Sequence, residues 1–227
     1  MQAPQPSPVD RDAAPARRGR KPVVTADTVI GTALRIADEE GLDALSMRRL
    51  AREIGVTAMA IYRHVDTREA LLDAIAARAL DIDAVDLDPD GPWSQRLFVL
   101  MCEIRRAFSR HPGAAAIATS QSIPGPGMDR IRERILELLT EGGLTASERL
   151  LWLSALSSFT LGYIVIERTR AAPEEETHRV LSLPANAYPH LIEVAHQYGS
   201  GLATGEVFET GLARLIAGLA GAGSARP

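Results

Sequence analysis

Residues 42–68 read LDALSMRRLAREIGVTAMAIYRHVDTR, and the fold turns on this stretch. Ser46 stands where it can cap a short helix whose inward positions are Leu50, Ala51 and Ile54. Gly55 breaks the chain, and the pattern predicts a second helix from about Thr57 to Val65. Leu50, Ala51, Ile54, Val56 and Ile61 hold the corner between the two, which is a helix-turn-helix pattern. The second helix suits entry into a major groove: Thr57, Ala58, Met59 and Ala60 are small or slender, and no acidic residue lies between Thr57 and Val65. Tyr62, Arg63 and His64 follow. Arg48, Arg49 and Arg52 before the turn and Arg68 after it are placed to hold phosphates on either side. An ordinary helical hairpin with exposed arginines is the alternative reading of the same pattern.

Helical periodicity extends both ways. Upstream, Thr25 caps a helix with Val29, Ile30, Ala33, Leu34, Ile36 and Ala37 on one face, and Gly41 ends it. Downstream, Asp66 and Thr67 are cap candidates for a helix that turns Leu71, Leu72, Ile75 and Ala76 inward. The run 81–92, with Pro89, Asp90, Gly91 and Pro92, is the best boundary in the chain. A helix resumes at Trp93 and continues to Arg110, where His111, Pro112 and Gly113 interrupt it. After a short apolar segment and the turn Pro124-Gly125-Pro126-Gly127, residues 128–141 are amphipathic through Ile131, Ile135, Leu138 and Leu139. Residues 146–169 form a long helix that is apolar nearly all round. Residues 171–187, with Pro173, Glu174–Glu176 and Pro184, read as a solvated loop, and two helices follow near 189–199 and 206–219. No alternating strand and no fixed repeat is visible, so the fold class is all-α.

The stretch GLDALSMRRLAREIGVTAMAIYRHVDTREALLDAI closely resembles the DNA-binding domain of the tetracycline-repressor family, over about residues 25–80. The resemblance implies that Tyr62 and His64 contact phosphates or sugar edges. It implies that Arg48 contacts base or phosphate, and that Arg68 clamps a phosphate at the start of the next helix. Thr57, Ala58, Met59 and Ala60 fall where the family reads bases. Ala and Met offer apolar contact with thymine methyls, so the operator should differ from the tetracycline operator. PWSQRLFVLMCEIRRAF and LLWLSALSSFTLGYIVIE resemble helices of the family's C-terminal domain, which implies a homodimer through the helices near 146–169 and 206–219. That fits an apolar helix whose two faces cannot both serve one core; burial within a single chain is the alternative.

The same resemblance implies a small-molecule inducer in the C-terminal domain, among Leu100, Ile104, Phe108, Gln121, Ile135, Trp152, Phe159 and Tyr163. Mostly apolar walls with a few polar groups suit a small, largely apolar or drug-like ligand; core packing is the plainer role for each residue. One departure is sharp. The tetracycline repressors place a magnesium-ligating histidine where this chain has Ala118, and polar drug-binding residues where it has Leu100 and Ile135. Their metal-side glutamate lies nearest Glu167, shifted by one residue. A hard cation with a single carboxylate is poorly held, so neither metal nor cofactor is expected.

Composition sets the outer limits. The chain has 227 residues, 46% hydrophobic and 24% charged, which is ordinary for a globular protein able to bury a core without staples. Its net charge of −4 argues against a broadly basic nucleic-acid binder, but residues 17–80 carry 11 basic and 9 acidic side chains. Any polyanion should therefore meet the N-terminal part. Residues 1–24 hold five prolines and end in Arg17-Arg18-Gly19-Arg20-Lys21, which reads as a disordered basic arm. It contacts phosphates or the minor groove on one reading and is a solvated tail on the other. No signal peptide is visible at the N-terminus, and the apolar run 150–166 is short of a membrane span and carries serines. The single Cys102 excludes a disulfide framework and reads as inert packing.

The expected organisation is thus an arm (1–24), a helix-turn-helix domain (25–80) and a helical ligand-binding and dimerisation domain (93–220). The expected function is a cytoplasmic, homodimeric repressor that binds a palindromic operator in double-stranded DNA and is released by an inducer. The alternative is a DNA-binding regulator with no small-molecule inducer, controlled by a protein partner or by its abundance. An enzyme is not expected, since no G-x-S-x-G or comparable nucleophile motif appears. His190, Glu193 and His196 read as solvated helix polars rather than metal ligands. Gly125-Pro126-Gly127 reads as a turn rather than a dinucleotide loop.

Overall fold

Thr25, Ser46 and Thr67 each stand one residue before a helix, and each side-chain oxygen accepts a backbone N–H from the first turn. The donors are Thr28, Arg49 and Ala70, at 3.1, 3.1 and 3.0 Å. These caps start α1 (Ala26–Glu40), α2 (Met47–Ile54) and α4 (Arg68–Ala79). Between α2 and α4 lies α3 (Ala58–Tyr62), capped by Thr57. The computed structural model describes residues 24–120, 125–169, 173–199 and 204–224; the basic arm at 17–21 and Gln121 lie outside them. The remaining helices are α5 (Trp93–Arg110), α6 (Pro112–Ser120), α7 (Pro126–Glu141), α8 (Ala146–Thr169), α9 (Pro173–Leu181), α10 (Pro189–Gly199) and α11 (Thr204–Ser224). Among the described residues there is no strand, and the fold is all-α.

Gly55 adopts a left-handed conformation, with φ +79°, and its N–H bonds back to Ala51 and Arg52, which closes α2 and turns the chain into α3. α3 is shorter than the predicted span to Val65: it ends at Tyr62, and the amides of His64 and Val65 both return to the Ile61 carbonyl. Ile61 is fully buried and Val65 nearly so, which anchors the short helix from beneath.

The stretch 81–92 is a boundary in composition but not in packing. One apolar cluster runs from Val29 on α1 to Leu219 on α11, and α1 and α4 rest directly on α6 and α7. The contact of α1 with α6 is close enough to require a glycine. A Cβ on Gly113 would lie 2.5 Å from the backbone and side chain of Ala37.

One expectation needs correction. Residues 173–181 are helical rather than part of a solvated loop. Acidic residues at 174–176 in the first turn and His178 and Arg179 in the last complement the helix dipole, and α9 buries Val180 while it packs on α10, where Ala195 is buried. The long helix α8, by contrast, is as expected not enclosed by its own chain. It buries Leu156, Thr160 and Ile164, while Leu150, Leu151 and Ile166 are 70%, 61% and 60% exposed. α8 is long and apolar enough to cross a membrane by length and composition, though only a small part of it is buried.

The Gly113 contact makes a stability prediction. Gly113→Ala should force α1 and α6 apart and cost about 1–3 kcal/mol, the usual penalty for overpacking. Thermal unfolding would show this as a melting temperature several degrees lower; an unchanged midpoint would contradict the packing described.

Candidate functional site

The exposed face of the helix-turn-helix separates into two kinds of arginine. Arg49 donates to Glu40 at 2.6 Å and to Glu53 at 2.5 Å, and Arg35 on α1 donates to the same Glu53 at 2.5 Å. These pairs tie α2 to α1, so Arg49 is occupied structurally rather than free for a phosphate. The hydrogen bond from Arg49, then that from Arg35, holds the Glu53 carboxyl below its ordinary range. Its contribution to stability is therefore present at neutral pH and is lost as pH falls through that lowered value. Arg48, Arg52, Arg63 and Arg68 are exposed and pair with no acidic group among the described residues. Arg52 and Arg63 join Arg48 and Arg68 on this face, and the exposure of all four is the signal that separates them from Arg49.

The eight residues expected at DNA fall as follows. Arg48, Thr57, Met59, Tyr62, His64 and Arg68 are exposed, while Ala58 and Ala60 are half-buried. Met59 is 69% exposed and Tyr62 44%, unusual for large apolar side chains on a helix whose other side is anchored by Ile61. The Thr57 hydroxyl accepts the Ala60 N–H at 3.3 Å and keeps its own proton available to donate. A rim of unpaired cations around a slender apolar ridge is the surface that a major groove accepts.

Farther along the chain, α5, α6, α7 and α8 line a cavity of about 420 Å³. Of the eight residues expected at a ligand, Ile104, Phe108 and Ile135 line it. Leu100, Trp152, Phe159 and Tyr163 do not. Leu100 is fully buried within the core, and Phe159 and Tyr163 turn toward α11, where both pack on the Phe208 ring at 5.3 and 5.2 Å. Arg105 crosses this aromatic group at 5.6 Å from Tyr163 and 5.3 Å from Phe208, and ion-pairs with Glu167 at 2.6 Å. α8 instead presents Leu153, Ser154, Ser157, Thr160 and Leu161 to the cavity, and α7 adds Arg132.

The residues do not fit a divalent cation. Ala118 lines the cavity but has no ligating atom, and Glu167 is engaged by Arg105 and by the Ser109 hydroxyl at 3.1 Å. At the far end of the chain, His190 and Glu193 are 3.8 Å apart and highly exposed, and the His196 side chain lies outside the described residues. Cys102 is buried, and burial, followed by the nearby Glu209 charge, pushes its thiol up to about 11. A neutral thiol in apolar packing is chemically quiet.

Two carboxylates, Asp38 partly buried and Asp73 buried, join the helices around the helix-turn-helix to those around the cavity. Asp38 on α1 accepts the Gly113 N–H and a bond from the His111 ring, each at 2.8 Å, at the start of α6. Asp73 on α4 is 4% exposed and accepts the N–H groups of Gly127 and Met128 at 2.9 and 3.0 Å, at the start of α7. Each carboxylate satisfies orphan donors at the positive end of a helix dipole. Met128 also lines the cavity, so one residue touches both the Asp73 clasp and the ligand space.

Two family profiles match this chain. "Bacterial regulatory proteins, tetR family" covers residues 29–75, and "Tetracyclin repressor-like, C-terminal domain" covers residues 86–222. The chain belongs to the TetR family of bacterial regulatory proteins. Among its relatives, the tetracycline repressor protein class C of Escherichia coli is 31% identical over 85% of this chain and 89% of its own. The HTH-type transcriptional repressor DrrR1 of Streptomyces coeruleorubidus is 35% identical over 64% of this chain, a match that spans 54% of DrrR1's length. The TetR-family protein ActR of Streptomyces coelicolor, solved in complex with actinorhodin, superposes with a TM-score of 0.75 at 34% identity, over 89% of this chain and 99% of ActR. The TetR helix-turn-helix is thus α2 and α3, and the cavity lies in the tetracycline-repressor-like C-terminal domain.

Arg48 and Arg49 are neighbours with different work, which yields a paired prediction. Arg49→Ala should lower thermal stability by freeing Glu40 and Glu53. Arg48→Ala should leave the melting temperature unchanged and weaken binding to a specific DNA site. Equal effects of the two variants on stability would contradict the division.

Proposed function

We propose that this protein is a homodimeric, ligand-responsive transcriptional repressor. Tyr62, His64 and Arg68 contact the operator backbone, Arg48 contacts base or phosphate, and Thr57, Ala58, Met59 and Ala60 face the bases. The observation that carries this reading is the direct mechanical link between the two sites. The helix that follows the recognition unit, α4, is clasped through Asp73 to α7, whose Met128 lines the cavity. A ligand that fits the cavity only when α6 or α7 shifts binds the off-DNA state more tightly and thereby weakens operator binding. The actinorhodin complex of ActR supports a small-molecule effector for the cavity here.

Two observations support dimerisation. TetR-family regulators bind operator DNA as dimers, and α8 leaves Leu150, Leu151, Val165 and Ile166 exposed, as α11 leaves Val207. A second copy that covers this stripe places two recognition helices on one face. They then read two half-sites about 34 Å apart, in successive turns of the duplex.

Selection of bound DNA from a random-sequence pool tests the reading. A palindrome with two half-sites is the expected result. An enriched single half-site would overturn the dimer geometry, and no enrichment would overturn the DNA-binding reading. On the selected site, Arg68→Ala should reduce the salt dependence of binding by about one phosphate contact. An unaltered slope would remove Arg68 from the interface.

A further inference from the structure

Four helix threonines on the elements around the cavity can be compared directly. Thr119, Thr140 and Thr169 each donate their hydroxyl to the carbonyl four residues back, at 2.8, 2.7 and 3.0 Å. This is the ordinary refuge of a threonine in a helix interior. Thr160 does not do so. It is 1% exposed, lines the cavity, and its hydroxyl has no hydrogen-bond partner among the described residues. A buried hydroxyl is costly unless bonded, and the cavity that Thr160 lines is the space from which a partner would reach it.

The second feature is a charge. Among the described lining residues, Arg132 of α7 alone carries a formal charge, in a wall otherwise built largely from side chains such as Met101, Ile104, Phe108 and Ile117. Its side chain is 35% exposed, which sets it toward the opening, while Thr160 is set within the wall. Its ion pair is with Asp129, one turn earlier, 65% exposed, at 2.7 Å. An exposed pair of this kind contributes little, so an incoming anion displaces Asp129 into water at low cost. A neutral acceptor gains at most a single weaker hydrogen bond from the guanidinium, whereas an oxyanion gains a charge-assisted, bidentate partner.

Resting on the reading of this cavity as the effector site, we propose that its ligand is a largely apolar organic anion. Its acidic group is held by Arg132 at the mouth, its apolar body fills the space between α5 and α8, and a polar atom on that body meets the Thr160 hydroxyl. Arg132 and Thr160 are then the residues that set effector specificity.

Matched probes test this on the full-length protein. Naphthalene, anthracene and pyrene carboxylates, and the primary carboxamides of the same rings, are titrated at neutral pH by fluorescence and by release of the selected operator. At least one carboxylate should bind about tenfold more tightly than its amide, the low end for a hydrogen bond to a charged group. Arg132→Gln should abolish that preference and leave the amide's affinity unchanged. Thr160→Val should weaken the best binder severalfold with no loss of melting temperature, since the hydroxyl holds no partner in the protein. Amides that bind as tightly as acids, or an acid preference that survives Arg132→Gln, overturn the proposal. If the amides release operator at the same concentrations as the acids, the effector-site reading stands without the anion; if neither series binds or releases operator, the effector-site reading is overturned as well.

Discussion

The carboxylate of Asp73 lies in the interior of the molecule and is held there by two backbone amides, those of Gly127 and Met128. Much of the architecture follows from that arrangement. A helix N-terminus offers unsatisfied donors and a partial positive charge, so α7 must begin against α4 and nowhere else. The approach is tight: a Cβ on Gly127 would lie 2.5 Å from the Ala77 methyl, and one on Gly125 would lie within the Asp73 carboxylate. Asp38 repeats the device on α1, against the first turn of α6. The DNA-reading unit is thereby fixed to the C-terminal helices through two polar clasps embedded in one continuous apolar core.

That construction explains how a cavity far from the recognition helix can matter to it. α6 and α7 both supply walls of the cavity, and both begin at a clasp. A hydrogen-bonded carboxylate on a helix end has a defined geometry, so a shift of either helix along its axis strains the bond rather than slipping past it. On the far side of α8, Arg105 is held between Tyr163 and Phe208 and paired with Glu167, which fixes α5, α8 and α11 as a unit. A displacement of the α6 or α7 wall is therefore passed to α1 and α4 through the clasps. Leu150, Leu151, Val165 and Ile166, which α8 leaves exposed, are the surface that the proposed second subunit would cover.

The helix-turn-helix was legible in the sequence because its determinants are local: Ser46, Gly55 and Thr67 act within one turn of themselves. Family membership was legible for the same reason, since the residues that carry it are contiguous. What depended on distant partners was not. Arg48 and Arg49 are indistinguishable in the run MRRL, and only the positions of Glu40 and Glu53 separate them. The cavity face of α8 was hidden because a helix apolar all round has no phase; the aromatic residues Phe159 and Tyr163 drew attention, yet α11 claims them. Arg132 borders the apolar stripe of α7 and reads as a solvated charge until α8 is placed opposite. Asp73 did leave a trace, as the one acid between Leu71, Leu72, Ile75 and Ala76. α9 was obscured by its proline and glutamates, which read as a loop until the dipole and the contact with α10 are considered.

The central claim is that the clasp at Asp73, which lies in the core, sets the affinity of a surface formed by α2 and α3. The most direct test is operator affinity as a function of salt for Asp73→Asn, which keeps the size of the side chain and removes the charge that faces the two amides. The account predicts affinity reduced severalfold with the salt slope unchanged, because no phosphate contact is lost, in protein shown by thermal unfolding to remain folded at the assay temperature. Wild-type affinity in a folded Asp73→Asn protein would contradict it.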